Sequence, residues 1–418
     1  MINKETQMRE LAYVAKITDI LPIEGADNIE LVVINDGWRC IAKKGEFQKN
    51  DLAVYFEIDS KLPEDAEWAA FLAPKHYKVK TYKLGKFKVV SQGLALPANA
   101  FGWELTTTGQ FAGDAPIIKT PDNKIYAEGD FLTEVLKVKY SVQEDNVRKS
   151  NVDKYKAMAQ RRGKLFSKQP FRWLMKRTWG KKLLFVFFGK KRDSQTAFPT
   201  KFPYVRKTDQ ERCENMTWVL KDKTPFIITE KCDGSSGTYI LERKRFGKFE
   251  FYVYSRNVRQ LDEKQKCYYD ENHYWDVAKR YDIEAKMTEY MKEHPELQYL
   301  CWQGEVCGPA IQKNPHGLKE NHLFLFHCID SEKGKWDIRD AVKVWEGFDL
   351  EHVPVITENY ILPDDFDEFK QSAEGYYDAS VTGDKNKRAR EGYVYYKTDD
   401  PNFSFKNVSR SYLLKHSN

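Results

Sequence analysis

The residue of this sequence best suited to covalent chemistry is Lys231, which follows a short apolar run and precedes a stretch of turn-forming residues. Residues 226–229 predict a strand and residues 233–237 predict a tight turn, so we expect the lysine amine to lie at a strand end. A lysine attacks as the neutral amine, which requires that burial or nearby cations lower its pKa. Attack on the α-phosphorus of a nucleotide would give a phosphoramidate. The Lys-x-Asp-Gly tetrapeptide alone also fits an ordinary surface turn.

Five other residues with suitable chemistry lie on or beside predicted strands. Each has an ordinary alternative: the arginine and the lysine fit charged strand ends, the phenylalanine fits a core aromatic, and a Glu-Gly pair fits a turn. Glu305 is hardest to explain in this way, because it follows Gly304 in an apolar strand, where a buried carboxylate needs a partner. Lys231 and these five residues together favour an enzyme, because six separate ordinary explanations would otherwise be needed. In chain order the five are Arg256, Glu305, Phe326, Glu391 and Lys406.

The elements that must position these residues make the second half of the chain rich in strands. One long helix is expected around residues 275–293, and another from Thr208, where Glu211 three residues later would complete a capping box. Strands with few helices between them indicate a mixed or antiparallel α+β domain. The predicted strands cover residues 226–229, 249–253, 299–306, 322–329, 391–396 and 403–406.

The first third of the chain has a different pattern. Residues 10–135 contain several short apolar runs separated by turn signals, which predicts a small barrel or sandwich. With 418 residues, of which 41% are hydrophobic, the chain is long enough for two domains with packed cores.

The charge of the chain is concentrated in one segment. The net charge is +6, but residues 148–207 contain 19 Lys or Arg and only two Asp. This asymmetry suggests a polyanionic partner, whereas a solvated basic linker has the same composition. The aromatic residues of the segment, such as Trp173 and Trp179, fit nucleic-acid binding, a helix on a membrane surface, or a helical insertion that packs onto the body.

The cysteines and the apolar runs predict a soluble protein that is cytoplasmic or otherwise intracellular. There are seven cysteines and none forms a Cys-x-x-Cys pair, which argues against a zinc ribbon or a disulfide framework and for a reducing compartment. The polar N-terminus has no signal-peptide pattern, and the longest apolar run, residues 183–188, is far too short to span a membrane.

The order Lys, Arg, Glu, Phe, Glu, Lys resembles that of the covalent nucleotidyltransferase superfamily, which includes DNA ligases, RNA ligases and mRNA capping enzymes. Within it the chain resembles the RNA ligases of the type found in Deinococcus, which carry an OB-like domain before the catalytic domain. The resemblance covers most of the chain except about residues 145–200. It extends to residues 37–39, 58–63, 91–94, 207–209 together with Arg212, and 304–309.

The resemblance implies an α+β chain with three parts. Residues 1–140 would form an OB-like β-barrel that binds nucleic acid, and residues 141–200 a basic aromatic linker or insertion. Residues 201–418 would form a mixed α/β, ATP-grasp-like nucleotidyltransferase domain with antiparallel sheets. The chain ends about a dozen residues after Lys406. DNA ligases and capping enzymes usually carry an OB domain after the last motif, so the order of domains favours an RNA ligase.

The resemblance also implies a role for each motif residue, with ATP as the nucleotide and Mg²⁺ or Mn²⁺ as the metal. Lys231 would accept AMP, with Asp233 and Gly234 in the same motif. Glu391 would position the metal, which suits a hydrated ion that keeps most of its waters. The expected nucleotide contacts are Glu230 near the adenine, Arg256 and Glu305 at the ribose, Phe326 stacked on the base, and Lys406 at the α-phosphate.

The last motif departs from the family pattern at one position. Two lysines spaced by one residue are common there, but Ser404 occupies the first position and Lys406 the second. Another cation must then neutralise part of the α-phosphate charge, and Lys397 and Arg410 are candidates.

The predicted function is the joining of RNA 3′-hydroxyl and 5′-phosphate ends, with sealing of nicks in duplexes whose 3′-hydroxyl strand is RNA. Alternatives are a DNA ligase or capping enzyme, a non-catalytic nucleic-acid-binding protein of the same fold, and a ligase with a membrane-surface or partner-docking element at residues 160–192. The N-terminal domain would grip RNA largely through its backbone. The candidate contacts are Lys43, Lys44, Lys78, Lys80 and Lys83.

Overall fold

The computed structural model describes residues 9–108, 115–141, 201–261, 272–384 and 386–416, with seven single positions between 171 and 199. The basic segment at residues 141–200 therefore lies largely outside the described residues, as does Cys267. Its assignment as a linker or insertion, and its partners, stay predictions.

The N-terminal domain is built around one antiparallel sheet with the strand order β3-β2-β1-β4-β8. Three small sheets, β9 to β11, β5 with β12, and β6 with β7, surround it. The strands are β1 (Ala12–Pro22), β2 (Ile29–Ile34), β3 (Trp38–Lys43), β4 (Leu52–Phe56), β5 (Ser60–Lys61), β6 (Tyr82–Leu84), β7 (Val89–Ser91), β8 (Leu94–Pro97), β9 (Glu104–Thr107), β10 (Pro116–Lys119), β11 (Ile125–Tyr126) and β12 (Lys139–Tyr140). Short 3₁₀ helices cover Glu67–Lys75, Gly85–Phe87 and Ala98–Phe101.

The long strand β1 joins the two halves of the central sheet. Its first part pairs with β4 and its second part with β2, with a register shift between Ile17 and Asp19. Such a bulge bends a strand and increases its twist. All five residues of β4 are buried, with Val54 in one core cluster and Tyr55 in another. The curved sheet, covered on both faces, confirms the predicted β-barrel-like N-terminal domain.

The C-terminal domain contains two sheets, ordered β13-β23-β22-β14-β21 and β17-β16-β15-β18-β19-β20. The strands are β13 (Glu211–Arg212), β14 (Phe226–Glu230), β15 (Ser235–Arg243), β16 (Phe249–Ser255), β17 (Arg259–Gln260), β18 (Tyr299–Cys307), β19 (His322–Asp330), β20 (Gly334–Lys335), β21 (Val355–Tyr360), β22 (Gly392–Lys397) and β23 (Asp400–Val408). The α-helices are α1 (His273–Arg280), α2 (Ile283–Glu293), α3 (Ile338–Gly347), α4 (Phe366–Ser372) and α5 (Arg410–His416). Further 3₁₀ helices cover Cys213–Asn215, Thr217–Lys221, Arg245–Gly247 and Ala379–Val381.

The main core of this domain lies between its two sheets and the helices α1 to α3. Ile227 and Tyr396 of the first sheet share one buried cluster with Tyr239 and Trp302 of the second. Both sheets are antiparallel except for the pairing of β13 with β23, which is parallel. These sheets with few helices confirm the predicted α+β fold class.

Two helix predictions need correction. No helix begins at Thr208: its hydroxyl lies 2.8 Å from that of Ser236, and Glu211 starts β13, so long-range pairing overrides the local capping pattern. The long helix predicted around residues 275–293 is two helices. Asp282 between α1 and α2 has a left-handed backbone with φ of 49°, which an α-helix does not tolerate.

The two domains contact each other through the segment that follows β13. Asn215 accepts hydrogen bonds from Tyr13 and Trp38 and donates one to Glu57 at 2.9 Å. At a second point, Asp367 accepts from Arg39 of β3 and from Arg410 of α5, each at 2.6 Å. The N-terminal domain therefore rests against the segment after β13 and against helix α4.

Two further observations concern the described residues only. The six cysteines that the structure describes are buried and have free thiols. None of the described helices is both long and apolar enough to cross a membrane.

Candidate active site

Lys231 lies where the chain crosses from the first sheet of the C-terminal domain to the second. β14 ends at Glu230 and β15 begins at Ser235. The backbone N–H of Lys231 donates to the carbonyl of Gly392 at 3.0 Å, which ties the crossing to β22. Its amine donates to Glu391 Oε2 at 2.9 Å, and 23% of the side chain is exposed. The amine is therefore held by Glu391, and part of the side chain is exposed to solvent.

Two carboxylates that lie far from Lys231 in the sequence are close to this amine. Burial lowers the pKa of Lys231, but Glu391 and Glu305 outweigh burial and hold the pKa above its usual range. Burial raises the pKa of Glu305 to about 8 against the opposing effect of Lys231. Burial also raises the pKa of Glu391, which Lys231 again opposes. The expectation of a lowered lysine pKa is thus wrong for this state of the site, where Lys231 is a paired ammonium.

Gly234 permits the close packing of the nucleophile loop against β18. A Cβ atom at this position would lie 2.4 Å from the carbonyl oxygen of Val306 and 3.0 Å from Glu305 Cγ. Its backbone N–H also hydrogen-bonds to the Glu305 carboxylate, which lowers the pKa of that group. The glycine of the Lys-x-Asp-Gly motif is therefore required by sterics, which argues against an ordinary surface turn.

Lys406 lies on β23, next to Arg212 on β13. The two residues are direct partners in the parallel pairing of these strands. Burial, then Arg212 and then Lys231, lower the pKa of Lys406 to about 7. A buried Nη1 of Arg212 has no hydrogen-bond partner among the described atoms. Three cations thus converge on one cleft, which is the charge pattern of an anion site.

This arrangement indicates which cation takes the place of the lysine that Ser404 replaces in the last motif. Lys397 pairs with Asp222 at 2.9 Å, and Arg410 pairs with Asp367 at 2.6 Å, so both candidates have carboxylate partners of their own. Arg212 is the cation that the structure sets beside Lys406. The family resemblance of the sequence had included Arg212 but had given it no part in neutralising the α-phosphate.

Glu230 is buried on the opposite side of the strand end from Lys231. Its Oε2 accepts from the backbone N–H of Asp378 at 3.1 Å, and Arg390 Nε lies 3.8 Å from its Oε1. Burial raises the pKa of Glu230 to about 7, and Arg390 opposes this. Both Glu230 Oε1 and Arg390 Nε lack hydrogen-bond partners among the described atoms, so polar groups remain for a ligand.

Arg256 lies at the end of β16, at the rim of the cleft. Its Nη2 is 2.5 Å from Asp209 Oδ1, and 45% of its side chain is exposed. Asp209 also raises the pKa of Lys406, which places this ion pair near the cations described above. Arg256 is therefore part of the same electrostatic group but keeps its own carboxylate partner.

Phe326 is the extra residue of a β-bulge. Gln303 of β18 pairs with His327 and Gly304 pairs with Leu325, so Phe326 has no partner on β18. The ring is half-buried against a cluster that includes Cys232, the neighbour of Lys231. Bulges re-aim side chains and are common beside active sites.

Two residues that the sequence did not reveal hold Asp233. His316 Nε2 accepts from the backbone N–H of Asp233 at 3.1 Å, while its Nδ1–H donates to the carbonyl of Val381 at 3.0 Å. Burial lowers the pKa of His316 to about 4, so the ring is neutral. Tyr412 of α5 donates its hydroxyl to the Asp233 carboxylate. Neither residue had a sequence signal, because both lie far from Asp233 along the chain.

The five lysines predicted to contact RNA fall into two groups on the N-terminal domain. Lys43 and Lys44 lie at the end of β3, where the backbone N–H of Lys43 donates to Glu46 at 3.2 Å. Lys78 and Lys80 line a groove of about 970 Å³. Lys83 lies on β6 beside this groove. The structure does not bring all five together.

Comparisons with known proteins agree with this architecture. Residues 11–98 match an OB-fold domain, and residues 224–410 match the RNA ligase family. The second match contains Lys231, Arg256, Glu305, Phe326 and the last two motifs. The match to the RNA ligase family therefore covers most of the C-terminal domain.

Solved structures of one protein resemble both domains at once. The Naegleria gruberi RNA ligase with PPi has 25% sequence identity and a TM-score of 0.65, over 98% of this chain and 99% of that chain. A variant of that ligase with ATP and Mn has 25% identity and a TM-score of 0.63, over 98% of both chains. A variant with AMP and Mn has 25% identity and a TM-score of 0.65, over 98% and 99%. No curated protein matches the sequence of the chain.

The likeness thus extends through the N-terminal domain, the C-terminal domain and their order along the chain. Within the C-terminal domain, Lys231, Glu305, Glu391 and Lys406 meet in one cleft, with Arg212 beside them. Arg256 lies at the rim, and Glu230 and Phe326 line neighbouring walls.

Proposed function

We propose that this chain is an ATP-dependent RNA ligase, of the kind with an OB-fold domain before the catalytic domain, that works through AMP bound covalently to Lys231. The observation that carries the proposal is the placement of the Lys231 amine, 2.9 Å from Glu391 and next to the paired cations Lys406 and Arg212. A nucleophile beside an anion site is what nucleotidyl transfer requires, since that reaction depends on positioning and charge neutralisation.

The first step forms one bond and breaks one. Lys231 Nζ attacks the α-phosphorus of ATP, the phosphorus–nitrogen bond forms, and pyrophosphate leaves with the electrons of the bridging bond. Lys231 must lose a proton first, because the resting amine is an ammonium. Glu391 is the nearest acceptor, at 2.9 Å, and burial raises its pKa toward a value suited to accept that proton.

The surrounding residues would bind the parts of AMP. Lys406 and Arg212 face the α-phosphate, which would restore full charge to Lys406, whose pKa is lowered to about 7 in the free site. Phe326 would stack on the adenine from the bulge of β19, and Glu230 would contact the base edge with its unpaired Oε1. Arg256 and Glu305 would hold the ribose.

The residues present fit a hydrated divalent ion. In the part of the chain that the structure describes, no three His, Cys, Asp or Glu side chains form a metal cage. Glu391 would offer one carboxylate to Mg²⁺ or Mn²⁺, as suits an ion that keeps most of its waters. When bound, the ion would neutralise phosphate charge and favour the neutral form of Lys231. The solved relatives with ATP and Mn support this choice of cofactors.

The later steps would join RNA ends. AMP would move from Lys231 to an RNA 5′-phosphate, and a neighbouring 3′-hydroxyl would attack that phosphate and release AMP. The match of residues 224–410 to the RNA ligase family supports RNA as the acceptor. We further propose nicks in duplexes with an RNA 3′-hydroxyl strand as the preferred substrate.

The test is covalent labelling with [α-³²P]ATP and Mg²⁺ or Mn²⁺, followed by sealing of nicked RNA and DNA duplexes. We expect a labelled wild-type protein, an unlabelled Lys231→Ala variant and preferential sealing of the RNA nick. Labelling by GTP alone would indicate a capping-type enzyme, and preferential sealing of DNA would indicate a DNA ligase. A wild-type protein without any label would favour a non-catalytic binding protein.

A further inference from the structure

The positive charge of the N-terminal domain is concentrated in one stretch of its sequence. Residues 68–103 contain six lysines and no Asp, Glu or Arg. The rest of residues 9–141 contains 11 Lys or Arg against 19 Asp or Glu. An otherwise acidic domain therefore carries a local basic surface, which attracts a polyanion.

This stretch surrounds the groove of about 970 Å³ on the domain surface. Lys75 and Lys80 line it together with Lys61 and Lys78, and the 3₁₀ helix Glu67–Lys75 and the β6–β7 hairpin contribute its walls. Neither Lys75 nor Lys80 forms an ion pair with a carboxylate among the residues that the structure describes. Tyr82 is 48% exposed at the same wall, and Lys75 Nζ lies 4.0 Å from the centre of its ring. The tyrosine thus positions a lysine whose charge faces solvent.

The hairpin that carries much of this charge is not needed for the core. Between Val79 and Ala95, no hydrophobic side chain is buried. The stretch contributes charge and the exposed ring of Tyr82 instead, although β6 and β7 are regularly paired. A regular hairpin without a core contribution is better explained by binding than by stability.

The groove also has a fixed relation to the catalytic cleft. β7 lies against helix α5 of the RNA ligase domain. Tyr412 of α5 donates a hydrogen bond to Asp233, two residues after Lys231. Strand β7 of the hairpin beside the groove therefore contacts helix α5, and α5 in turn contacts the loop that follows Lys231.

We propose that the groove of Lys75, Lys78, Lys80 and Tyr82 binds the sugar–phosphate backbone of the RNA and leads its end toward Lys231. This inference rests on the proposed function for the identity of the polyanion. Lys43 and Lys44 lie outside the groove, beside Glu46, and are not part of this surface.

The test compares two double variants of the full chain that remove the same charge. Lys75→Ala with Lys80→Ala empties the groove of two lysines. Lys49→Ala with Lys124→Ala is the matched control, because both control lysines pair with aspartates elsewhere on the domain. The probe is a nicked duplex with an RNA 3′-hydroxyl strand, and affinity is measured by fluorescence anisotropy from 50 to 200 mM KCl.

We expect the groove variant to bind the RNA about tenfold more weakly, with a salt dependence of log K that is less steep by about 1 to 2. The control variant should keep both values. Lys75→Arg with Lys80→Arg should restore most of the affinity, which a folding defect would not allow. Adenylation of Lys231 by ATP should stay within about twofold of wild type in all variants, since it needs no RNA.

Three results would overturn the groove assignment: an unchanged salt slope in the groove variant, an equal loss of affinity in the control variant, or an equal loss of adenylation and RNA binding. The proposed function fails separately, when ATP does not label wild-type Lys231. The RNA affinities of the two double variants still decide the groove in that case.

Discussion

Lysines occur in two regions of this molecule under opposite conditions. In the cleft, Lys231 and Lys406 are enclosed, and their pKa values are shifted by Glu391, Arg212 and each other. In the groove, Lys75 and Lys80 are exposed and have no carboxylate partner among the described residues. The first arrangement fixes the position and protonation of single groups, as chemistry requires. The second supplies charge that depends on ionic strength, as backbone binding requires.

The largest effect should come from removal of the nucleophile. Lys231→Ala is expected to reduce adenylation by at least about a thousandfold, because the variant lacks the amine that we propose as the acceptor of AMP. RNA affinity should change by less than about twofold, since the groove keeps its charge. Covalent labelling and anisotropy on one preparation measure both quantities. Loss of RNA affinity in this variant would contradict the assignment of adenylation to the cleft and of RNA binding to the groove.

The next effect concerns the carboxylate next to that amine. Glu391→Gln should lower the rate of adenylation about a hundredfold, because it removes a proton acceptor and a charge in the cleft. Since Glu391 raises the pKa of Lys231, the neutral amine forms at lower pH in the variant. Adenylation by wild type should therefore rise with pH, and the rise should begin at lower pH in Glu391→Gln. A pH profile of single-turnover labelling checks this, and an unshifted profile contradicts the assigned role.

A smaller effect is expected at the cation beside Lys406. Arg212→Ala should reduce adenylation about tenfold, as loss of one charge-assisted contact to phosphate would. Lys397→Ala removes a cation that is already paired with Asp222 and should change the rate less than about twofold. Titration of ATP against the labelling rate compares the two variants. A larger loss in Lys397→Ala would indicate that Lys397, and not Arg212, supplies the positive charge that the last motif lacks at Ser404.

The smallest effect should be that of salt on the enclosed charges. Between 50 and 200 mM KCl, ATP labelling of wild type should change less than about threefold, because buried pairs are screened weakly. Over the same range RNA binding should fall steeply. Parallel measurement in the same buffers makes this comparison, and an equal salt dependence of both reactions would remove the contrast.

The sequence predicted the strands of the RNA ligase domain well, because short apolar runs bounded by turn residues also form strands in the folded chain. It placed Lys231 at a strand end, where the structure has it. It gave the wrong element at Thr208, where pairing of β13 with β23 overrides a local capping pattern. The bulge at Phe326 also depends on a partner strand.

The contacts of Asp233 were beyond sequence reasoning for a different reason. His316 and Tyr412 are separated from it by 83 and 179 positions, and neither belongs to a recognisable spacing. Arg212 was noted in the sequence, but only the register of β13 against β23 makes it the neighbour of Lys406. Residue types and their order were readable, whereas pairs formed across the fold were not.

The parallel pairing of β13 with β23 has a consequence for the order of folding. It joins Arg212 to Lys406, almost two hundred residues later in the chain. Contacts of such sequence separation form slowly, because the entropy of closing the loop is lost before the contact stabilises it. We therefore expect the cations of the cleft to meet late, after the local hairpins β15–β16 and β22–β23. A newly made chain would then become compact before the cleft that we propose to react with ATP is complete.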